Sequence, residues 1–138
     1  MKKTQLLAVT ALAILSIIAC KKNNDDTSID NVQISSPTSG QTFDAMDTVP
    51  IKALLQNSSE MHGYAIQLAN LTDTTIVFEM DEHAHGTSIS IDTFWVNNVM
   101  EHSNMRLYVT AEIDHEGTTV TDSVSFHCHP PSSARLNK

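Results

Sequence analysis

Residues 105–128 read MRLYVTAEIDHEGTTVTDSVSFHC, and this stretch decides the fold class. Apolar residues alternate with polar ones from Leu107 to Ile113, and the alternation returns in the run that ends near Phe126. A period of two residues is that of a strand with one buried face. Residues 114–117, DHEG, separate the two runs and supply a glycine where a tight turn needs positive φ. The stretch therefore predicts a β-hairpin.

The same alternation recurs along the chain before this hairpin. Short runs rich in β-branched residues, separated by turn residues, are typical of an all-β sandwich, and helix is expected only as a turn around residues 97–104. The sequence predicts a seven-stranded, immunoglobulin-like antiparallel β-sandwich over residues 32–129. The seven runs are 32–36, 48–56, 62–69, 74–80, 87–95, 105–113 and 118–128. Parity along the runs predicts an inward set that includes Val49, Ile51, Ala53, Leu55, Tyr64, Ile66, Leu68, Ile76, Phe78, Ile89, Ile91, Leu107, Val109, Ala111, Ile113, Val124 and Phe126.

Length and charge restrict the class of protein. A chain of 138 residues is enough for one domain. It carries 16 acidic and 8 basic residues, a formal net charge of −8. No basic stripe offsets this charge, so we expect no nucleic-acid partner.

The N-terminus predicts export and lipid attachment. Residues 1–19 combine a basic start with an apolar stretch that is short for a membrane-spanning helix, which needs roughly 20 apolar residues. The sequence Ile17-Ile18-Ala19-Cys20 resembles the lipobox of bacterial lipoproteins, which implies a signal peptide over 1–19 and acylation of Cys20. The alternative is an ordinary cleaved signal that happens to end at a cysteine.

Polar sequence follows the predicted anchor. Residues 20–31 have little to bury and predict a flexible tether, and residues 130–138 predict a disordered tail. Lys21 disfavours inner-membrane retention by resemblance to Gram-negative sorting rules. The expected location is the outer membrane, lipid-anchored, with the periplasmic and cell-surface faces both left open. Loss of Lys2 and Lys3 with the signal leaves a net charge of −10.

Two further stretches carry a family resemblance. Residues 34–43 with 48–51 look like the opening of bacterial immunoglobulin-like domains, and residues 107–117 look like their final hairpin. The similarity is to Bacteroidetes-type lipoproteins whose immunoglobulin-like domain carries a His-x-His loop. It implies a sandwich fold, and the fold alone assigns no activity. The Cys, Trp, Cys spacing of antibody domains is absent.

Seven histidines, including two His-x-His pairs, are the unusual chemical feature. Alternating strand directions bring the connections that hold His62, His83, His85 and His115 to one end of a sandwich. Four imidazoles there predict a site for Zn or Cu, with Asp81 or Glu116 as acceptors for the second ring nitrogens. The alternative is that these are solvated loop residues, and the domain is then a metal-free structural or adhesive module that contacts protein or glycan.

The opposite end collects His102 with His127, Cys128 and His129. Alternation after Phe126 predicts that Cys128 packs inward and that the flanking histidines face water, so we rank this end as the weaker candidate. The five methionines beyond Met1 could act as soft ligands for Cu(I), but we expect their side chains to pack against the protein instead. The function predicted from the sequence is therefore metal binding by loop histidines in a lipid-anchored module with no catalytic site.

Overall fold

The computed structural model describes residues 31–132. The predicted signal peptide, the lipid attachment at Cys20, the tether up to residue 30 and the tail from residue 133 lie outside the described residues. Within the described part no helix is long and apolar enough to cross a membrane. The described chain forms eight strands: β1 (Asn31–Ser36), β2 (Thr42–Phe43), β3 (Thr48–Met61), β4 (Gly63–Asn70), β5 (Thr75–Glu82), β6 (Gly86–Val96), β7 (Ser103–Glu112) and β8 (Thr119–Cys128).

The strands form two sheets that pack face to face. The first sheet has the order β1-β3-β6, and the second has the order β2-β8-β7-β4-β5. The predicted all-β sandwich is thus confirmed, with one strand more than expected. The additional strand, β2, has two residues and pairs in parallel with the end of β8. Two residues are too few to show a period, so the sequence carried no signal for it.

Apolar side chains from both sheets fill the space between them. The predicted inward residues of β3 and β7 are almost fully buried, with Leu55 and Leu107 at 0% exposure. In β4, Ile66 and Leu68 are at 0% exposure, and Tyr64 is partly buried against the core. The prediction is wrong at Ile76, which is 48% exposed. The β4–β5 register shifts between Leu68 and Ala69, and such an irregularity reverses the side-chain alternation beyond it.

The β7–β8 hairpin confirms the prediction made for residues 105–128. Glu112 pairs with Thr119 at the last rung, and Gly117 has φ +91° in the turn. The Oδ1 atom of Asp114 accepts hydrogen bonds from the backbone N–H of Glu116 and of Thr118. Hydrogen bonding by the side chain of Thr118, and then by its backbone N–H, lowers the pKa of the Asp114 carboxyl from its usual value.

The sandwich has two ends that carry different loops. The β3–β4, β5–β6 and β7–β8 connections lie at one end, here the His62 end. The β4–β5 and β6–β7 connections, β2 and the end of β8 lie at the other, the His102 end. Asn31, the first described residue, pairs with Gln56 in the half of β3 nearer to the His62 end.

Candidate metal centre

The four histidines that the sequence predicts as ligands lie together at the His62 end. His62 is the single residue between β3 and β4, and its backbone N–H donates to the carbonyl of Glu112 at 2.9 Å. His83 and His85 occupy the β5–β6 connection, and His115 lies in the β7–β8 hairpin. The strand directions therefore bring three separate connections together.

The rings are arranged as a row and not around one point. Ring centroids are 3.6 Å apart between His115 and His62, 5.3 Å between His62 and His85, and 4.6 Å between His85 and His83. The Nε2 atoms of His83 and His85 are 3.0 Å apart, and Nδ1 of His85 lies 3.3 Å from Oε1 of Glu60. Each imidazole lies against its neighbour in the row, and His62, His83 and His115 also line one cavity.

The acidic partners at this end differ from those expected. The contact between an imidazole and a carboxylate among the described residues here involves Glu60, and not Asp81 or Glu116. Nδ1 of His62 is buried and has no hydrogen-bond partner among the described residues. A buried polar atom without a partner costs free energy.

A second histidine cluster lies at the His102 end. In the described part of the chain, it is the one group of three or more His, Cys, Asp or Glu residues whose ligand atoms all lie within 4.8 Å of one another. The members are His102, His127 and His129, with ring centroids 5.0 to 5.8 Å apart. By the distances between ligand atoms, the His102 end, which was predicted to be the weaker candidate, holds the more compact set of ligands.

Strand alternation produces this cluster. His127 belongs to β8, and His129 follows it two residues later, so both rings point to the same side. Cys128 between them points inward and is 0% exposed, as predicted. Burial, and then the negative charge of Asp47, raise the pKa of the Cys128 thiol to about 12.

The short β2 strand holds the end of β8 in place. The backbone N–H groups of His127 and His129 donate to the carbonyls of Gln41 and Phe43, both at 2.9 Å. The side chain of Asn97 is fully buried and donates to the carbonyl of His129 at 3.0 Å. The backbone that carries two of the three imidazoles is therefore fixed on both sides.

Oxygen acceptors orient two of the rings. Nδ1 of His127 lies 3.1 Å from Oδ1 of Asn104, its partner across the β7–β8 ladder. Nδ1 of His129 lies 3.3 Å from Oδ1 of Asp44. When Nδ1 carries the proton toward such an oxygen, the lone pair on Nε2 is free to bind a metal, which is the usual support for histidine ligands.

The surroundings of His127 favour its neutral form. Partial burial, followed by the positive charges that His129 and His102 would carry, lowers the pKa of His127 from its ordinary value of 6.5. A histidine must be neutral to bind a metal ion. Ligands on a tetrahedral ion with metal–nitrogen distances of about 2.0–2.1 Å lie about 3.3 Å apart, so small side-chain rotations would complete a coordination sphere.

Part of this centre was visible in the sequence. The His-x-His spacing and the pairing of β7 with β8 place His102, His127 and His129 at one end. The sequence does not predict the contacts of Asn104 with His127 and of Asp44 with His129. These contacts depend on the register of β7 with β8 and on the position of the loop before β3. At the His102 end, these contacts orient the rings of His127 and His129.

Comparisons with known proteins add little to this description. No protein-family model matches the chain, and no curated protein matches it. Among solved structures, the fibronectin(III)-like modules of Clostridium thermocellum CbhA match with 16% identity and a TM-score of 0.46. The match covers 74% of this chain and 99% of that one. A likeness at this identity and TM-score carries no argument about function. The structure itself shows a two-sheet β-sandwich with a compact three-histidine cluster.

Proposed function

We propose that this chain is a lipid-anchored, extracytoplasmic module that binds a divalent transition metal ion, Zn²⁺ or Cu²⁺, through His102, His127 and His129. The observation that carries the proposal is the mutual approach of their ring nitrogens to within 4.8 Å. Imidazole nitrogen suits zinc, copper and nickel better than magnesium or calcium, which prefer oxygen ligands. The proposed role is binding, and no catalytic activity is expected.

The orientation of the rings supports a three-ligand site. Asn104 and Asp44 engage the Nδ1 atoms of His127 and His129, which leaves both Nε2 atoms for the ion. His102 is exposed, immediately precedes β7 and completes the set of three ligands. Three protein ligands leave a fourth tetrahedral position for water or another donor. The site would release its ion in acid, because protonated histidine does not bind metal.

The row at the His62 end is the second candidate site, with His62, His83, His85 and His115 as the ligands. The unpartnered, buried Nδ1 of His62 favours it. The 3.0 Å separation of Nε2 in His83 and His85 is close to the roughly 3.3 Å between two ligands on one tetrahedral zinc ion. A single ion would engage this pair first.

The membrane anchor belongs to the same proposal. The resemblance of residues 17–20 to a lipobox supports acylation of Cys20 and retention at the outer membrane, on the periplasmic or the cell-surface face. Asn31 pairs with β3 in the half nearer to the His62 end, and the three-histidine cluster lies at the opposite end of the sandwich. Palmitate labelling that disappears in Cys20→Ser is the expected result, and labelling that persists in this variant would contradict the anchor.

Metal content of untagged protein tests the binding proposal. Elemental analysis and calorimetric titration with Zn²⁺ should give at least one bound ion per chain, and His127→Ala/His129→Ala should lose it. The matched control is His83→Ala/His85→Ala, which removes a His-x-His pair at the opposite end and should keep that ion. Wild-type protein that binds no stoichiometric Zn²⁺ or Cu²⁺ would overturn the proposal and favour the alternative, a metal-free structural or adhesive module that contacts protein or glycan.

Linkage to folding provides an independent measurement. An ion that binds only the folded state stabilises it by about 2.7 kcal/mol at a free concentration 100 times the Kd. The wild-type melting temperature should therefore rise with added Zn²⁺ and return with chelator. The same shift in His127→Ala/His129→Ala would place the stabilising ion elsewhere.

A further inference from the structure

The two His-x-His pairs of the chain share one arrangement of a carboxylate. In the pair at the His102 end, Nδ1 of the second histidine, His129, lies 3.3 Å from Oδ1 of Asp44. In the pair at the His62 end, Nδ1 of the second histidine, His85, lies 3.3 Å from Oε1 of Glu60. Asp44 precedes β3 and Glu60 is near its end, so the two carboxylates come from opposite ends of the same strand. The contact that orients a ligand at the His102 end therefore has a counterpart at the His62 end.

This counterpart directs one ring nitrogen of His85 at the ring of His83. When Nδ1 of His85 carries the proton toward Glu60, the lone pair of that ring lies on Nε2. This Nε2 atom is 3.0 Å from Nε2 of His83, so without metal it accepts a hydrogen bond from that nitrogen. Two nitrogens bound to one tetrahedral ion lie about 3.3 Å apart, so an ion would need these two to separate by only about 0.3 Å. Both histidines are exposed, which lets the displaced proton of His83 exchange through solvent to its Nδ1.

The other two histidines of the row are stacked on each other. The rings of His62 and His115 have centroids 3.6 Å apart and planes inclined by 33°. Planes inclined by so little at this separation meet far from both rings, so one ion cannot lie in the plane of each ring at bonding distance. Among the described residues, no three His, Cys, Asp or Glu side chains at this end have ligand atoms within 4.8 Å of one another. The ligand set that the geometry offers here is therefore the pair His83 and His85.

Charge favours a cation at the His62 end. Glu112 and Asp114 line the cavity to which His83 contributes. The basic residues of the described chain are Lys52 and Arg106, and both lie in the halves of their strands nearer to the His102 end. The connections at the His62 end thus carry carboxylates with no basic side chain among the described residues. A negative potential of this kind raises the local concentration of cations.

We infer that the chain binds two metal ions at once, and that the second ion is held at the His62 end by the Nε2 atoms of His83 and His85, with Glu60 as the positioning residue for His85. The inference rests on the proposed function for the class of ion, Zn²⁺ or Cu²⁺, which imidazole ligands suit. It goes beyond that function in assigning a second site with its own ligands. Two protein ligands instead of three make this site the weaker one, so the two ions bind in sequence. The second ion would close the β5–β6 connection, where the chain passes from one sheet to the other.

Titration of the full chain with Zn²⁺ against a chromophoric competing chelator counts the ions. Wild-type protein should bind two. His83→Ala/His85→Ala should keep the tighter ion, and His127→Ala/His129→Ala should keep the weaker one. His83 and His85 are exposed, so their replacement should leave the urea midpoint of metal-free protein unchanged, which confirms that any lost binding is local.

Glu60→Ala in the His127→Ala/His129→Ala background isolates the role of the carboxylate. It should lower the Zn²⁺ affinity of the remaining site by about tenfold, at the low end of the usual range because the side chains of Glu60 and His85 are 63% and 47% exposed. Glu116→Ala in the same background is the matched control. It removes the same charge from the same end and should change the affinity by no more than about twofold, because a separate exposed charge is screened.

Proton–nitrogen NMR of the metal-free protein gives a readout that loss of charge alone would not move. The proton of His85 should lie on Nδ1 in the His127→Ala/His129→Ala background, and this preference should be lost when Glu60→Ala is added. Glu116→Ala should preserve it. An unchanged tautomer of His85 in Glu60→Ala would refute the positioning role.

The outcomes distinguish this inference from the proposed function. If wild-type protein binds a single Zn²⁺ ion that His127→Ala/His129→Ala loses, the second site is wrong and the three-histidine site stands. An ion that is kept in His127→Ala/His129→Ala and lost in His83→Ala/His85→Ala supports the second site, whatever happens at the His102 end. If no ion is lost in His127→Ala/His129→Ala, the three-histidine site of the proposed function is wrong.

Discussion

Replacing Asn97 should damage both the fold and the metal centre. Asn97 is 0% exposed, and its side-chain NH₂ donates to the carbonyls of Asp44 at 2.9 Å, His129 at 3.0 Å and, more weakly, Phe43 at 3.3 Å. Its Oδ1 accepts the backbone N–H of Val99 at 3.2 Å. One buried side chain therefore joins the loop before β3, the segment after β8 and the β6–β7 loop.

The expected magnitude follows from these contacts. In Asn97→Ala, two good hydrogen bonds are lost at about 1 kcal/mol each, and the buried N–H of Val99 is left without its partner at about 1–3 kcal/mol. The free energy of unfolding should fall by about 3–5 kcal/mol, a large part of the 5–15 kcal/mol typical of a domain. Since about 1 kcal/mol corresponds to roughly 4–8 °C in a domain of about 100 residues, the melting temperature should fall by more than about 12 °C.

Urea denaturation of Asn97→Ala and of the wild type measures the change in the free energy of unfolding. An unchanged m value would show that the two proteins expose the same amount of surface on unfolding. Asn57→Ala is the matched control, because Asn57 is also buried at 6% exposure but donates only one long hydrogen bond, 3.4 Å to Ser59. The control should lose no more than about 1 kcal/mol. If both variants are destabilised equally, the side chain of Asn97 does not join the three segments energetically, and the reasoning is refuted.

Three further expectations concern single groups. In metal-free protein, the pKa of His127 measured by NMR should lie below 6.5, because burial and then the charges of His129 and His102 disfavour its charged form. The free energy of unfolding should therefore fall as the pH drops below 6.5, and a measured pKa at 6.5 or above would contradict the expected shift. Cys128, whose pKa is raised to about 12, should resist thiol reagents at about pH 8 until urea unfolds the protein, and rapid labelling of native protein would contradict its burial. The contribution of Cys128 to stability should decline above pH 9.0, because the thiol of the unfolded chain ionises there first. Gly63→Ala would place a Cβ atom 2.8 Å from the backbone oxygen of Glu82, so a loss of about 1–3 kcal/mol is expected in urea denaturation, and an unchanged midpoint would count against that close approach.

The strand pattern and the distribution of histidines were readable in the sequence. Alternation identified the buried faces of β3, β4 and β7, because a strand with one face in the core must place apolar side chains at every second residue. The same parity placed Cys128 inward, with 0% exposure in the structure. Strand direction assigned His62, His83, His85 and His115 to one end and the remaining histidines to the other.

Tertiary structure decided what the pattern does not encode. The two-residue strand β2, the register shift that turns Ile76 outward and the exposure of Met46 and Met100 arise from pairing and loop placement, which have no period along the chain. Which end holds the more compact set of imidazoles also depends on the tertiary structure. Residue type and strand parity place imidazoles at the same end of a sandwich, but distances of a few ångströms between their nitrogens are set by ladder register and by contacts such as that of His129 with Asp44.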